Sequence, residues 1–233
     1  MLGQIMRICL CLQYWIFMLI SAIMPSCLSP YPHCADRQEE RFVFAVQSFL
    51  KQSYNNSELI IVSDGCEKTN KIYERDFSDN PRIKIYSTNK QSYFSGNLRN
   101  LGIEKAQGDL ICYLDADDFI GENHLKIIAE NYDQKCDFCY YDDYLFVSFS
   151  YGANKFYRRS TKISGKMRFG TSSIVHKKTD VVWRDGYGHD HQFIKDMVEK
   201  GYPYKKIKTP EYFVCHFPDG KECFNLDNPR MLF

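Results

Sequence analysis

The chain has 233 residues, a length that a single α/β domain with a sizeable core can reach. Its 30 basic and 29 acidic side chains leave a formal charge of +1, which excludes an overall field that would draw it to nucleic acid or to an anionic membrane. The 10 cysteines are scattered through the chain, with some in apolar runs such as those around Cys112 and Cys215, where free thiols act as small hydrophobes. This pattern favours a reducing, cytoplasmic compartment over a disulfide framework.

The apolar stretch over residues 8–24, which follows Arg7, has two interpretations. It could be a signal peptide or a membrane anchor. Alternatively, residues 1–19 are an extension and Ile20 begins the first buried strand, which a removed or membrane-spanning segment could not supply. We favour the second interpretation, and the anchor stays open.

The following segments alternate between helix and strand. Phe42, Val46 and Phe49 share one stripe of an amphipathic helix over about 36–52. The patterns further along predict strands over Glu58–Ser63 and Arg82–Tyr86, a helix over about 97–107 that ends at Gly108 as a left-handed cap, and a strand over Leu110–Leu114. This alternation predicts an α/β fold with a mostly parallel sheet and helices on both faces, in which ligands gather beyond the carboxyl ends of the strands.

The second half has a different character. Beyond Asp143 the sequence is aromatic, basic and irregular, and it then predicts a helix over about 190–200 and two short strands around Tyr204 and Phe213. No linker or internal repeat separates the halves. We therefore expect one domain over residues 20–233, with the second half as a lid and platform built onto the first.

Three carboxylates follow the strand at Leu110–Leu114 within four positions, as Asp115, Asp117 and Asp118. They could hold a divalent cation that relieves their repulsion, or form a solvated turn that caps the helix beginning near Glu122. So few hard oxygen ligands suit Mg²⁺ or Mn²⁺ shared with a substrate's phosphate oxygens. The chain has neither GxxxxGK[ST] nor GxGxxG after its first strand, which disfavours P-loop and dinucleotide enzymes.

Two long motifs add a resemblance to this pattern. One comprises Met24-Pro-Ser26, the end of the first helix through Tyr54, and Glu58-Leu-Ile-Ile-Val-Ser-Asp64-Gly-Cys; the other runs from Arg99-Asn100 through Gly108 to Leu114-Asp115-Ala-Asp-Asp118. Over residues 20–125 the chain resembles the family 2 glycosyltransferases, which are inverting enzymes of the GT-A fold that use nucleotide sugars. The resemblance implies a nucleotide-binding half over 20–125 and an acceptor half over 126–233.

The resemblance also assigns roles to single residues on the donor side. Asp64 matches the carboxylate that accepts a base N–H, Asp115 the ribose contact and Asp117 the metal ligand, while Pro25 and Ser26 fall in the nucleotide-binding segment. Arg99 falls near the base or phosphate, or it acts as a strut between helix and sheet. The alternative for Asp64 is a turn residue before Gly65. Cys27 stands where the family often has an aromatic residue, and Tyr31 could replace that contact.

In the second half the resemblance points to Asp190 as the catalytic base, in a segment similar to the family's Glu-Asp motif. An inverting transfer needs one carboxylate to take the proton of the acceptor hydroxyl. A helix N-cap is the alternative for Asp190, and a structural role is the alternative for the flanking His189 and His191. His216 is a candidate metal or diphosphate ligand, or a core histidine.

Two further features leave alternatives open. No acid occurs from Tyr144 to Thr179, and the basic segment 155–168 could be a mobile flap over an anionic ligand or a solvated hairpin. Cys136 and Cys139 have the spacing of a zinc knuckle without a second pair, so two buried thiols are expected.

These observations together predict an inverting glycosyltransferase (EC 2.4 class) that uses Mn²⁺ or Mg²⁺. It would move a sugar from a nucleotide diphosphate donor, a UDP-sugar, to the hydroxyl of a glycan or lipid-linked glycan in cell-surface polysaccharide synthesis. Nucleic acid is not an expected partner, and the protein is expected in the cytoplasm, with a peripheral position at the inner face of the membrane left open. A nucleotidyltransferase that makes nucleotide sugars and a noncatalytic glycan-binding protein are the alternatives.

Overall fold

A computed structural model describes residues 18–29, 37–90, 94–147, 155–164 and 167–215. In chain order the elements are β1 (Ile20–Ser26), α1 (Gln38–Leu50), β2 (Ser57–Asp64), α2 (Glu67–Asp76), β3 (Ile83–Thr88), α3 (Gly96–Lys105), β4 (Leu110–Tyr113), β5 (Phe119–Ile120), α4 (His124–Asn131), β6 (Phe138–Tyr140), β7 (Asp143–Val147), β8 (Lys155–Arg159), a 3₁₀ turn (Thr171–Ser173), β9 (Ile174–His176), α5 (His189–Glu199), β10 (Tyr204–Lys206) and β11 (Tyr212–Val214).

The larger sheet has seven strands in the order β10-β6-β9-β4-β1-β2-β3. All residues of β1 and β2 are buried, because both faces of these parallel strands are covered. Such strands carry nearly continuous apolar runs. Strand β9 is antiparallel to both of its neighbours, while the other pairings of this sheet are parallel. One hydrophobic core lies on each face of the sheet. This architecture confirms the predicted α/β class.

A second sheet of four strands has the order β5-β11-β7-β8 and joins β5 of the first half to three strands of the aromatic second half. Its small core contains Phe119, Phe146 and Cys215, with Phe156 and Phe213 packed against them. The rings of Phe119 and Phe213 stack with centroids 4.7 Å apart. Aromatic stacking therefore replaces the aliphatic packing of the larger sheet in this region.

Two local features differ from what the sequence pattern predicts. Helix α2 was not predicted, since only Thr69 and Ile72 of its residues are buried and its apolar stripe is thin. The left-handed cap expected at Gly108 is wrong, because α3 ends at Lys105 and Gly108 does not have a positive φ. A Cβ at Gly108 would instead lie 2.7 Å from the Ser21 nitrogen, so glycine is needed for close approach to β1.

Membrane insertion was an open question at the N-terminus. No helix in the described ranges is long and apolar enough to cross a membrane. Residues 8–17 of the apolar stretch lie outside those ranges, and residues 20–24 belong to β1. The proposed boundary at residues 19 and 20 stays a prediction. Cys136 and Cys139 are free, buried thiols, as expected.

Candidate functional site

A cavity of about 420 Å³ opens beyond the carboxyl ends of β1, β2 and β4. Within the described residues, every side chain predicted to act in the site lines this cavity: Pro25, Ser26, Asp64, Arg99, Asp115, Asp117 and Asp190. The one remaining candidate, His216, lies outside the described residues, as does Tyr31. The parallel register explains the gathering on the donor side, because strand ends that point the same way meet at one edge.

Asp64 ends β2 and forms an ion pair with Lys90, a residue that the sequence analysis did not single out. The Asp64 side chain is only 2% exposed, and the Lys90 ammonium also lies 3.5 Å from the sulfur of Cys27. Burial would lower the pKa of Lys90, but the hydrogen bond to Asp64 and the nearby negative charges outweigh it and raise that pKa. The lysine is therefore charged beside the candidate base-binding acid.

Gly65 makes this pairing sterically feasible. Its φ of 60° is in the left-handed region, and a Cβ there would meet the Lys90 backbone nitrogen at 2.6 Å. Both constraints favour glycine. The turn after β2 thus lets the Lys90 backbone lie close to Gly65, so that the Lys90 side chain reaches Asp64.

Arg99 is buried on α3 and connects the two walls of the cavity. Its Nη2 donates to Asp115 Oδ1 at 2.8 Å, and its Nη1 lies 3.1 Å from Nε2 of His189. The guanidinium also lies over the Trp183 ring, 5.2 Å from the centroid. The predicted strut is thus present, on a residue that also lines the cavity.

The three acids after β4 have separate environments. Asp118 is buried and accepts hydrogen bonds from the Tyr212 hydroxyl at 3.1 Å and the Cys215 amide at 2.8 Å. Burial, with the charges of Asp117 and Asp115, raises its pKa well above the ordinary value. Asp115 accepts from Arg99 and from the Thr171 hydroxyl at 3.0 Å. Asp117 is half-buried and lines the cavity.

This arrangement bears on the metal. Among the described residues, no three His, Cys, Asp or Glu side chains gather into a self-contained cage. The oxygens of Asp117 and Asp115 at one cavity wall fit an ion that completes its shell with phosphate oxygens and water. The alternative of a capping turn does not fit, because β5 intervenes and α4 begins at His124 after Asn123.

Asp190 lies in the first turn of α5 and lines the cavity. Gly188, with a φ of 78°, is the N-cap residue, so the N-cap alternative for Asp190 is wrong. The Nε2 atom of His189 lies 2.7 Å from Asp190 Oδ1, and its Nδ1 lies 2.9 Å from the Gly186 carbonyl oxygen. Both ring nitrogens are thus engaged, and His189 orients the carboxylate rather than presenting a free base.

The two groups shift each other's pKa. Burial would raise the pKa of Asp190, but the hydrogen bond from His189 and the charge of Arg99 outweigh it, and the pKa lies below its ordinary value. Burial would lower the pKa of His189, but the contact with Asp190 outweighs it and raises that pKa. Asp190 is therefore a charged carboxylate at neutral pH.

Comparison with known proteins decides the family. Residues 33–201, more than half of the chain, match the family model "Glycosyl transferase family 2". The chain belongs to this family.

Two curated relatives show how far the match extends. An uncharacterized glycosyltransferase of Haemophilus influenzae is 40% identical over 82 residues, which cover 35% of this chain and 32% of that protein. The UDP-Glc:alpha-D-GlcNAc-diphosphoundecaprenol beta-1,3-glucosyltransferase WfgD of Escherichia coli is 32% identical over 109 residues, or 47% of this chain and 39% of that protein. The matched region thus spans about a third of the relatives' length.

Solved structures agree on the fold. The S. aureus TarS fragment 1–349 superposes with a TM-score of 0.62 at 16% identity, covering 84% of this chain and 60% of that one. The mannosyltransferase PcManGT of Pyrobaculum calidifontis, solved with GDP-Man and Mn²⁺, has a TM-score of 0.57 at 10% identity, covering 82% and 56%. At these identities the likeness concerns the fold alone, and it confirms the GT-A class.

Sequence reasoning missed several residues that line the cavity of this family 2 domain. Besides Lys90, they include Phe94, Thr171 and Tyr187. Tyr187 is 99% exposed and stands between two glycines with positive φ. Lys90 follows the end of β3 and could have been found by the strand-end rule, whereas Thr171 is brought in by the turn before β9 and has no local signal.

The basic segment of the acceptor half forms a hairpin strand over residues 155–159. Strand β8 pairs with β7 from Lys155 to Arg159, and Arg159 forms an ion pair with the fully buried Asp143. The hydroxyls of Ser172 and Ser173 donate to the same carboxylate, at 2.5 and 3.1 Å. These contacts favour the hairpin interpretation for residues 155–159 over a mobile flap.

Proposed function

We propose that this chain is the catalytic domain of an inverting glycosyltransferase. It moves a sugar from a UDP-sugar to a hydroxyl of a glycan or lipid-linked glycan in cell-surface polysaccharide synthesis. One observation carries the proposal: a single cavity combines acids that follow the strands, Asp64 and Asp117, with a charged carboxylate on α5, Asp190. An inverting transfer needs a carboxylate separate from the donor-binding acids, because the attacking oxygen and the leaving group lie on opposite sides of the sugar.

The names of similar proteins support the substrate classes. WfgD is named for UDP-Glc and a diphosphoundecaprenol acceptor, and TarS has been solved with UDP and with UDP-GlcNAc. AmsB of Erwinia amylovora, 35% identical over 81 residues, is named for amylovoran biosynthesis. We infer a UDP-sugar donor and a glycan acceptor from these names together with the cavity.

On the donor side, the residues of the strand ends bind the nucleotide. Asp64 accepts the N–H of the base, while its ion pair with Lys90 orients the carboxylate. Pro25 and Ser26 form the floor under the nucleoside, and Asp115 binds the ribose while Arg99 holds that carboxylate at 2.8 Å.

Mn²⁺ or Mg²⁺ would be held by Asp117, beside Asp115. When bound, the ion supplies positive charge that stabilises the leaving diphosphate. Asp118 takes no part in this, because it is buried, bonds to Tyr212 and Cys215 and does not line the cavity.

On the acceptor side, Asp190 takes the proton of the attacking hydroxyl. His189 fixes the orientation of the carboxylate through their 2.7 Å contact, so that the second oxygen can face the acceptor. Tyr187 stands three residues earlier at the rim, where its exposed ring can pack on the apolar face of an acceptor sugar.

Calorimetry of UDP binding tests the donor half of the proposal. UDP should bind more tightly with Mn²⁺ than without it, and Asp117→Asn should lose at least about tenfold of that gain, since even outer-shell changes at metal sites cost this much. Glu122→Gln is the matched control, because this exposed acid lies outside the cavity. Equal binding with and without metal, or an unchanged Asp117→Asn variant, would contradict the metal bridge.

A donor screen tests the reaction. Metal-dependent release of nucleotide diphosphate from UDP- or GDP-sugars is the expected result. Formation of a nucleotide sugar from a nucleoside triphosphate and a sugar phosphate would instead identify a nucleotidyltransferase. Sugar binding without turnover of any donor would identify a noncatalytic protein.

A further inference from the structure

Several cations of the acid-free segment gather with lysines near β11. The basic cluster comprises Arg158 of β8, Lys162 and Arg168 of the loop after it, Lys206 at the end of β10 and Lys208 of the connection to β11. Arg159 is not a member, because Asp143 neutralises it. The proposed catalytic chemistry uses none of these five residues.

Bonds of the cluster members to Asp142, to backbone atoms and to the sequence neighbours of other members hold the basic cluster together. Arg158 and Lys206 both bond to Asp142, with Nε–Oδ2 and Nζ–Oδ1 distances of 2.9 and 2.5 Å. Arg158 also donates to the Thr209 hydroxyl at 2.9 Å, beside Lys208, and Lys206 donates to the Thr161 carbonyl at 3.2 Å, beside Lys162. Lys162 and Arg168 exchange two backbone hydrogen bonds, at 2.9 and 3.0 Å.

The cluster carries a surplus of positive charge. Within the described part of the chain, Asp142 is the one carboxylate bonded to any of its members, and its side chain is 6% exposed against 59% for Arg158. Burial would raise the pKa of Asp142, but the hydrogen bonds from Lys206 and the Thr161 amide outweigh it and lower that pKa. The basic cluster thus has five cations and one bonded anion, although the whole chain has a charge of only +1.

The cluster lies at the same edge of the sheet as the cavity. Strand β10 is parallel to β6, and β6 and β4 are both antiparallel to β9, so β10 runs in the direction of β4. Lys206 ends β10 and therefore lies at the carboxyl edge, where the cavity opens. Asp142 is followed by Asp143, which accepts from Ser172, and the neighbouring Thr171 bonds Asp115 in the cavity wall.

We propose that the basic cluster docks this protein on an anionic phospholipid surface. Each cation near such a surface contributes about 1 kcal/mol, which is roughly fivefold in binding, and salt screens the attraction. Docking through this edge turns the mouth of the cavity toward the bilayer. That this orientation serves a lipid-linked acceptor rests on the proposed function, whereas the docking itself does not.

Vesicle flotation of the full chain tests the docking. Vesicles of phosphatidylcholine with phosphatidylglycerol should float the protein, vesicles of phosphatidylcholine alone should not, and about 0.5 M salt should release it. The triple variant Lys162→Gln, Arg168→Gln and Lys208→Gln should bind roughly a hundredfold more weakly, at about fivefold per charge. The control triple Lys51→Gln, Lys71→Gln and Lys126→Gln removes equal charge from exposed sites elsewhere and should bind like the parent.

Three outcomes would overturn the proposal: equal flotation by neutral vesicles, equal losses in both triple variants, or no loss in the cluster variant. Tighter binding of a single-stranded oligonucleotide than of the vesicles would also overturn it and assign the cluster to nucleic acid. UDP calorimetry on the cluster variant checks that it is folded and keeps its donor site. A failure of docking is thereby separated from a failure of the proposed glycosyltransferase function.

Discussion

The two walls of the cavity are built by different means. On the donor side, Asp64 and Asp115 lie at the ends of β2 and β4, and the backbone pairing of buried parallel strands sets their positions. In the acceptor half, by contrast, Asp190 on α5 depends on its side-chain contact with His189, and the turn that carries Thr171 depends on the contacts of Arg159 with Asp143 and Ser172. The donor wall should therefore tolerate nearby substitutions, while the acceptor wall should respond to the loss of single polar groups.

Asp190→Asn gives the largest expected effect and tests the separation of the walls directly. The amide keeps the shape and removes the basicity, so kcat should fall by roughly 10² to 10⁴, the usual contribution of a positioned base. UDP affinity should stay nearly unchanged, because the donor wall does not depend on this carboxylate. Steady-state kinetics and UDP calorimetry measure the two quantities.

Asp185→Asn is the matched control, an exposed acid five residues earlier that does not line the cavity. It should retain the parent rate. An Asp190→Asn variant with nearly full activity, or with weakened UDP binding as its main defect, would show that the base lies elsewhere and that the walls are not separate.

Asp143→Asn tests the network behind the acceptor wall. It leaves the Arg159 cation without its counter-charge, and breaking a fully buried pair costs about 3 to 5 kcal/mol. Because 29% of the Arg159 side chain is exposed, we expect a smaller loss of about 2 kcal/mol in the free energy of unfolding, measured by urea denaturation. Proteolysis within residues 155–159 should accelerate, while UDP affinity should change little.

The exposed pair of Asp180 and Lys200 provides the control, with side chains 69% and 47% exposed. Asp180→Asn should change the stability far less than Asp143→Asn, because solvent screens this exposed pair. If Asp143→Asn were equally mild, the hairpin would not depend on its buried acid.

The titration of His189 gives the smallest effect and refines the picture of the acceptor wall. Its pKa should lie above the ordinary value of about 6.5, and Asp190→Asn should bring it below, since burial and the Arg99 charge remain. NMR titration of the ring protons measures both values. A pKa unchanged by Asp190→Asn would show that the two side chains are not coupled.

The same pair predicts a pH window for stability. The raised pKa of His189 adds stability that is present below about pH 6.5 and is lost as the pH rises through the raised value. The lowered pKa of Asp190 adds stability that is present above about pH 3.9 and is lost as the pH falls through the lowered value. The pair therefore stabilises the acceptor wall most between these limits.

The contrast between the walls also explains what the sequence could predict. Strands β1, β2 and β4 are continuous apolar runs with acids at or directly after the ends of β2 and β4, so the donor residues could be placed at one edge from the pattern alone. Asp190 came only from the resemblance to the family. Its position against the cavity depends on contacts of α5 that no local pattern reports.

Other features required the structure because their signals are tertiary. Strands β6 and β9 have three residues each, too few to show a period, and β9 joins the sheet in the reverse direction. The orientation of the Asp118 carboxyl depends on residues about 95 positions away, because it accepts hydrogen bonds from Tyr212 and Cys215 and does not line the cavity. The pairing of Lys90 with Asp64 depends on the turn at Gly65.

Pro25 gives the cleft a property of its own. The Ile23 carbonyl accepts a hydrogen bond from the Leu114 amide, and the pairing of β1 with β4 ends at Ile23. Because backbone groups alternate along a strand, the nitrogen of Pro25 faces the same side as the Ile23 carbonyl. Proline has no backbone N–H to donate there, so residue 25 cannot extend the hydrogen-bonded pairing of β1 with the chain after β4. The cleft between β1 and the chain after β4 is therefore not bridged by a backbone hydrogen bond from residue 25. Pro25→Ala would restore an N–H there that could compete with a bound ligand for the cleft.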